Sequence, residues 1–265
     1  MPFNPNFAIE VIWPAANAAY AIMSDPQPAL PANYTLVGPI EAVTREAAPL
    51  MLQAHPNQLR LAHEMLAESP IFGLVAWNAV EKTALVALRG TKTIWEWIDD
   101  VDAVPVPYQA VPGAGLVHMG FQIVYQHMRA NIARLLTAGC AGAQRMLITG
   151  HSLGAATALL AGVDLGTNGP LEVRPELHTL AGPRVGTPDF ALFLNGLVPV
   201  CYRVVNVMDV VPHVPLPPLY EHAGQEEMVQ GGFKPLDVTY AHHLTTYLIG
   251  LQKLAPAQHV TGVGV

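Results

Sequence analysis

Leu147-Ile148-Thr149-Gly150-His151-Ser152-Leu153-Gly154-Ala155-Ala156 decides how this chain is read. It sets a G-x-S-x-G element after an apolar run, Arg145–Thr149, and before an Ala/Leu-rich run, Leu153–Leu165. A serine on a tight strand-to-helix turn projects its hydroxyl from the C-terminal edge of a sheet. Neighbouring chain crosses close by at positions 150 and 154, where a Cβ would clash, and both are glycine. The helix beginning at Leu153 turns its N-terminal N–H groups and positive dipole end toward the reacting oxygen. Ser152 is therefore the candidate nucleophile, and the backbone N–H of Leu153 a candidate oxyanion donor.

Outward from that turn, short apolar runs alternate with helix-like segments. Ile71–Trp77, Ala84–Leu88, Arg145–Thr149, Leu177–Leu180 and Cys201–Asn206 are apolar nearly throughout, as strands covered on both faces are. Asn57–Ala67, Gly120–Thr137, Leu153–Leu165, Pro188–Asn195 and His242–Leu254 read as helices. This alternation predicts an α/β fold with a mixed or parallel sheet. Val211–Pro218 carries four prolines and reads as a rigid loop after a strand; Glu221–Lys234 is polar and reads as surface loop. No repeat or linker divides the chain, so residues 1–265 are expected to form one domain.

Composition narrows the classes. The chain is 51% hydrophobic and 12% charged, with a mean hydropathy of +0.31; charged residues make up about a quarter of an average soluble protein. No apolar run is long enough to span a membrane, so the surplus belongs in a large core, an exposed patch, or both. The net charge of −7 argues against a nucleic-acid partner. Cys140 and Cys201 cannot build a disulfide framework and read as small buried apolar groups. Met1 to Asn6 lacks the positive n-region of a signal peptide, which fits a cytosolic chain or a secreted mature form. No cluster has zinc-site spacing, and neither metal nor cofactor is expected.

A serine hydroxyl needs a histidine to take its proton and a carboxylate to orient that histidine. Where a G-x-S-x-G turn carries the serine, the order is Ser, then Asp or Glu, then His. Downstream acids are Asp164, Glu172, Glu176, Asp189, Asp209, Glu221, Glu226, Glu227 and Asp237. Asp164 lies on the helix after the serine and faces away along it, while Glu172 and Glu176 fall in a charged loop. Asp209 closely follows Cys201–Asn206, on the sheet edge where Ser152 emerges, between Val207-Met208 and Val210-Val211. It is the expected acid. Of His213, His222, His242, His243 and His259, the base is expected to be His242 or His243; spacing alone does not choose.

With these residues in place the chain resembles the class 3 lipase family, which contains the filamentous-fungal triacylglycerol lipases and their bacterial and plant relatives. Six blocks carry the resemblance, in the family's order. They are Val86-Ala87-Leu88-Arg89-Gly90-Thr91 with Trp97 and Asp100; Val117-His118-Met119-Gly120-Phe121; Gly150 to Ala155; Ala181-Gly182-Pro183-Arg184-Val185-Gly186; Arg203-Val204-Val205-Asn206 with Asp209, Val211 and Pro212; and His242 with Leu244 and Tyr247. The resemblance implies an α/β-hydrolase fold: a central, mostly parallel sheet flanked by helices, with a short lid helix over the site. It implies His242 over His243, because the family's histidine stands two residues before an aliphatic residue and five before a tyrosine. It supports Asp209, which opens an Asp-x-Val-Pro element. It implies that Thr91 gives its backbone N–H and hydroxyl to the oxyanion and that Asp100 orients that hydroxyl. Arg89, His118, Pro183 and Arg184 are expected to brace the scaffold, and His151 is assigned no proton transfer.

The resemblance also implies a lid at residues 93–98. There Ile94, Trp95, Trp97 and Ile98 would present apolar surface, with Trp95 the better candidate for contact with lipid and Trp97 for packing. The acyl pocket is expected to draw on Val214, Leu216 and Leu219. The implied activity is acyl transfer from an ester or lipid substrate to Ser152, by a monomer, with a lipid–water interface as the expected setting. Alternatives are a phospholipase A1, a feruloyl-type or short-chain carboxylesterase and, from another class, a non-catalytic lipid-binding module.

Overall fold

The computed structural model describes residues 2–42, 69–91, 103–235, 237 and 239–255. Its centre is a seven-stranded sheet built from β1 (Thr35–Glu41), β2 (Ile71–Asn78), β3 (Thr83–Leu88), β6 (Arg145–His151), β7 (Pro175–Leu180), β8 (Cys201–Asn206) and β9 (Gln225–Val229), adjacent in that order. β1, β2 and β3 pair antiparallel; β3, β6, β7, β8 and β9 are parallel. A separate short ribbon joins β4 (Pro105–Pro107) to β5 (Leu116–His118). Every residue of β3 and β8 is buried, the consequence of covering a sheet on both faces.

On one face lie α2 (Met119–Gly139), α3 (Leu153–Asn168) and α4 (Pro188–Leu197), packed in a core with Val86, Ile148 and Leu177 from the strands. On the other lie α1 (Trp13–Ala21) and α5 (Leu244–Leu254), which bury Ala16, Ala19, Tyr247 and Leu251 against Leu85, Leu147, Leu180 and Val204. Alternate residues of each strand thus serve opposite cores. Between α2 and α3, the buried carboxylate of Asp164 accepts from Arg129 at 2.6 and 2.8 Å, from Tyr125 at 2.7 Å and from Asn168 at 2.9 Å. That saturates an acid which burial alone would leave costly. Cys140 and Cys201 are both buried and free.

The structure departs from the sequence reading at several places. Glu221–Lys234 is not loop throughout, because Gln225–Val229 forms the edge strand β9; its outer residues face solvent and carry no apolar signal. Glu176 sits within β7 and holds Arg145 at 2.6 and 2.9 Å instead of lying in a loop. The final helix begins at Leu244, and His242 closes a separate turn, Tyr240–His242. The alanine-rich α1, preceded by helical turns over Pro5–Phe7 and Ala8–Ile12, lacks a polar stripe to betray it. The expected helix over 57–67 lies outside the described residues.

Candidate active site

Ser152 sits between the end of β6 and the start of α3 with φ 62° and ψ −127°, a backbone state L-residues rarely adopt. The packing leaves no alternative path. A Cβ on Gly150 would overlap the carbonyl of Gly154, and one on Gly154 would overlap the carbonyl of Leu88. The Ser152 N–H is tied to the carbonyl of Leu180 on β7 at 3.0 Å. Strand, helix and neighbouring strand together hold the serine in place.

Its hydroxyl meets the ring of His242: Nε2 lies 2.8 Å from Oγ. On the far side of that ring, Nδ1 lies 2.8 Å from Oδ2 of Asp209. The sheet brings these three side chains together from separate connections. Asp209 follows the C-terminal end of β8, and its Oδ1 accepts from the N–H of Val211 at 3.0 Å. Oδ2 accepts a further hydrogen bond, at 2.7 Å, from the hydroxyl of Tyr247 on α5. That hydroxyl in turn accepts from the N–H of Asn206 at 3.1 Å. Burial pushes the Asp209 carboxyl up, but the bonds from His242, Tyr247 and Val211 outweigh it, and the group stays below the ordinary carboxylate range. A hydroxyl, an imidazole and an ionised carboxylate in this series can move the serine proton onto the imidazole and hold the resulting charge.

Leu153 is the first residue of α3, so its N–H has no acceptor within the helix. Thr91 follows β3, whose Leu88 pairs with Gly150, and it is buried. The chain leading to it runs close beside the serine: a Cβ built on Gly90 would fall 2.9 Å from Cβ of Ser152. Asp100 and the residues of the expected lid, Ile94, Trp95, Trp97 and Ile98, lie outside the described residues.

Val214 is half-buried, and its carbonyl accepts from the N–H of Arg184 at 2.8 Å. The Arg184 side chain holds the carbonyls of His213 and Pro215. Leu216 and Leu219 stand out from this braced loop, 70% and 51% exposed. Arg89 is buried on the carbonyls of Ile71 and Gly90, and His118 Nδ1 accepts from Gly120 N–H at 3.1 Å.

Two tyrosines belong to the site that residue-by-residue reading missed as functional groups. Tyr247 had a signal, its spacing from His242. Tyr20 had none: it comes from α1, and its hydroxyl lies 2.9 Å from Nδ1 of His151.

A family model described as Lipase (class 3) matches residues 85–218, just over half of the chain. A lipase from Rhizomucor miehei is 36% identical over 158 residues, 58% of this chain and 43% of that protein. A phospholipase A1-II 3 from Oryza sativa subsp. indica is 33% identical over 184 residues, 58% of this chain and 44% of that protein. Among solved structures, a triacylglycerol lipase whose catalytic centre is formed by a serine-protease triad superposes with a TM-score of 0.53 at 35% identity, over 59% of this chain and 60% of that one. The chain thus spans under half the length of the curated relatives it matches.

Proposed function

The chain belongs to the lipase (class 3) family and has the α/β-hydrolase fold, and on that premise we propose that it is a triacylglycerol lipase working through an acyl-enzyme on Ser152. The observation that carries the reading is the series Ser152 Oγ, His242, Asp209, with both links at 2.8 Å. His242 takes the hydroxyl proton as Oγ attacks the ester carbonyl. The N–H of Leu153, with the N–H and hydroxyl of Thr91, receives the tetrahedral oxyanion; one such donor is worth about 3–4 kcal/mol. Asp209 stabilises the imidazolium, which passes its proton to the departing alcohol. Water then attacks the acyl-enzyme with His242 as base again, releasing the carboxylic acid and restoring the serine.

A lipid surface is the proposed setting. From Val204 to Tyr220 the only formal charge is Asp209, which is 1% exposed. Around it Val207, Met208, Val210, Leu216 and Leu219 are exposed apolar residues. An uncharged, apolar stretch of chain around Asp209 suits a neutral ester more than a charged one. Val214 and Leu216 contribute to acyl binding. A single domain acting as a monomer suffices for this chemistry. No helix among the described residues is long and apolar enough to cross a membrane.

A second reading is a phospholipase A1, favoured by the match to the rice enzyme. Rates on a p-nitrophenyl ester series from C2 to C16, on emulsified triolein and on phosphatidylcholine vesicles separate these readings. Turnover is expected to rise with chain length and to be highest on triolein. Highest turnover on the vesicles would favour the phospholipase, and activity confined to C2–C4 esters would refute both.

A further inference from the structure

The position between Gly150 and Ser152 is filled by a histidine that the mechanism above does not use. His151 is 5% exposed, and its ring centroid stands 4.9 Å from that of His242. Its Nε2 lies 2.9 Å from the backbone carbonyl of His242, and its Nδ1 lies 2.9 Å from the hydroxyl of Tyr20. A carbonyl can only accept, so Nε2 carries the proton. In the neutral ring Nδ1 then holds a lone pair, and the tyrosine O–H donates to it. The direction of the whole series is fixed: Tyr20 O–H to His151 Nδ1, then His151 Nε2–H to the His242 carbonyl.

We propose that Tyr20 and His151 form a positioning pair, through which the N-terminal helix α1 fixes the backbone of the catalytic base. This rests on the ester-hydrolase reading of Ser152 and His242. The base needs such an anchor because His242 closes a short turn, Tyr240–His242, and is not itself within α5. A second contact from the same N-terminal helix acts on the same segment: Trp13 Nε1–H donates to the carbonyl of Leu244 at 2.7 Å. The tyrosine also reaches the other half of the site, since a Cβ on Gly90 would overlap its hydroxyl.

The pair has a chemical requirement as well as a mechanical one. His151 must stay neutral while its neighbour carries the imidazolium charge of the acylation step. Burial, followed by the proximity of His242, lowers its pKa to about 3. If the Tyr20 hydroxyl were lost, the carbonyl of His242 would still keep the proton on Nε2, but Nδ1 would be left buried without a donor. The ring would lose its tie to α1 and could shift, carrying the backbone of the base with it.

The test is Tyr20→Phe, which keeps the ring and removes the O–H, alongside His151→Gln and His151→Leu. Glutamine can still accept from Tyr20 and donate to the carbonyl; leucine can do neither. On p-nitrophenyl butyrate, kcat is expected to fall about tenfold for Y20F and H151L, with KM within about twofold, because misplacing a catalytic group slows the chemical step. H151Q is expected to recover most of the rate. In uniformly 15N-labelled wild-type enzyme, the imidazole signals of His151 should report a proton on Nε2 and none on Nδ1 at pH 7. A proton on Nδ1, an unchanged kcat in Y20F, or equal losses in H151Q and H151L would overturn the pairing. Loss of all ester turnover in the wild type would instead sink the ester-hydrolase reading, and the 15N spectrum separates the two failures.

Discussion

Truncating the Ser152 side chain to alanine or to glycine should have unequal consequences for stability. At φ 62° and ψ −127° the residue occupies a region that disfavours any Cβ. Such strain costs about 1–3 kcal/mol. Ser152→Ala keeps the Cβ and hence the strain; Ser152→Gly releases it. Both lose the 2.8 Å bond to His242, so that loss cancels in the comparison. Glycine gains entropy in the unfolded chain, which offsets about 0.4–1 kcal/mol of the relief. Taking the middle of each range, the glycine variant should be the more stable by about 1.3 kcal/mol, and by up to about 2.6 kcal/mol at the extremes. For a chain of this size the central figure corresponds to a melting-temperature gap of about 3–5 °C. Thermal unfolding followed by circular dichroism, with urea midpoints as a check on reversibility, measures it directly. Equal midpoints, or a more stable alanine variant, would show that the turn stores no strain and that the argument from backbone geometry is wrong.

Tyr247→Phe removes a donor from Asp209 and the acceptor of the buried Asn206 N–H, so it should cost about 2–4 kcal/mol. The Asp209 carboxyl should rise toward its ordinary value; stability that its ionised form supplies above the unfolded pKa would then be lost at a higher pH during acid titration. Urea unfolding of the variant between pH 3 and 7 should reveal both effects. Burial lowers the pKa of His118 to about 4, of His151 to about 3, of His178 to about 4 and of His222 to about 3. Unfolded histidine titrates near 6.5, so between there and about 4 the unfolded chain binds protons the folded one refuses. Stability should fall as pH drops through that window, by at most about 1.4 kcal/mol per unit for each ring. His178 offers a clean test, because neither ring nitrogen has a hydrogen-bond partner among the described residues. His178→Leu should leave stability at pH 7 equal or higher and make the pH 7 to 5 decline shallower. A steeper decline would mean that the imidazole is charged in the fold.

Much of this architecture is written in runs that physics leaves few ways to fold. Cys201–Asn206 is apolar enough to be strand and nothing else, and it is β8 over that same span. Gly150 and Gly154 announce a close crossing, and backbone carbonyls of Gly154 and Leu88 occupy the space their Cβ atoms would need. Asp209 and Ser152, though 57 positions apart in sequence, each follow a parallel strand, and parallel strands deliver their C-terminal ends to one edge. The edge strand β9 and helix α1 were hidden for opposite reasons. Gln225–Met228 is largely exposed and shows no apolar run, whereas α1 is so uniformly small and apolar that no face stands out. Tyr247 was marked by its spacing from His242, whereas Tyr20 could not have been placed by local pattern. Tyr20 and His151 are 131 positions apart, and only packing α1 on the sheet brings them to hydrogen-bond distance.

The most direct test of the account is covalent. A fluorophosphonate probe reacts at phosphorus with an activated serine and then stays attached. One equivalent should label the wild-type chain, and peptide mass analysis should place it on Ser152. Labelling should vanish in Ser152→Ala and slow by orders of magnitude in His242→Ala. A probe that fails to react with the folded wild-type chain, or that labels the His242→Ala variant as fast as the wild type, would contradict the account.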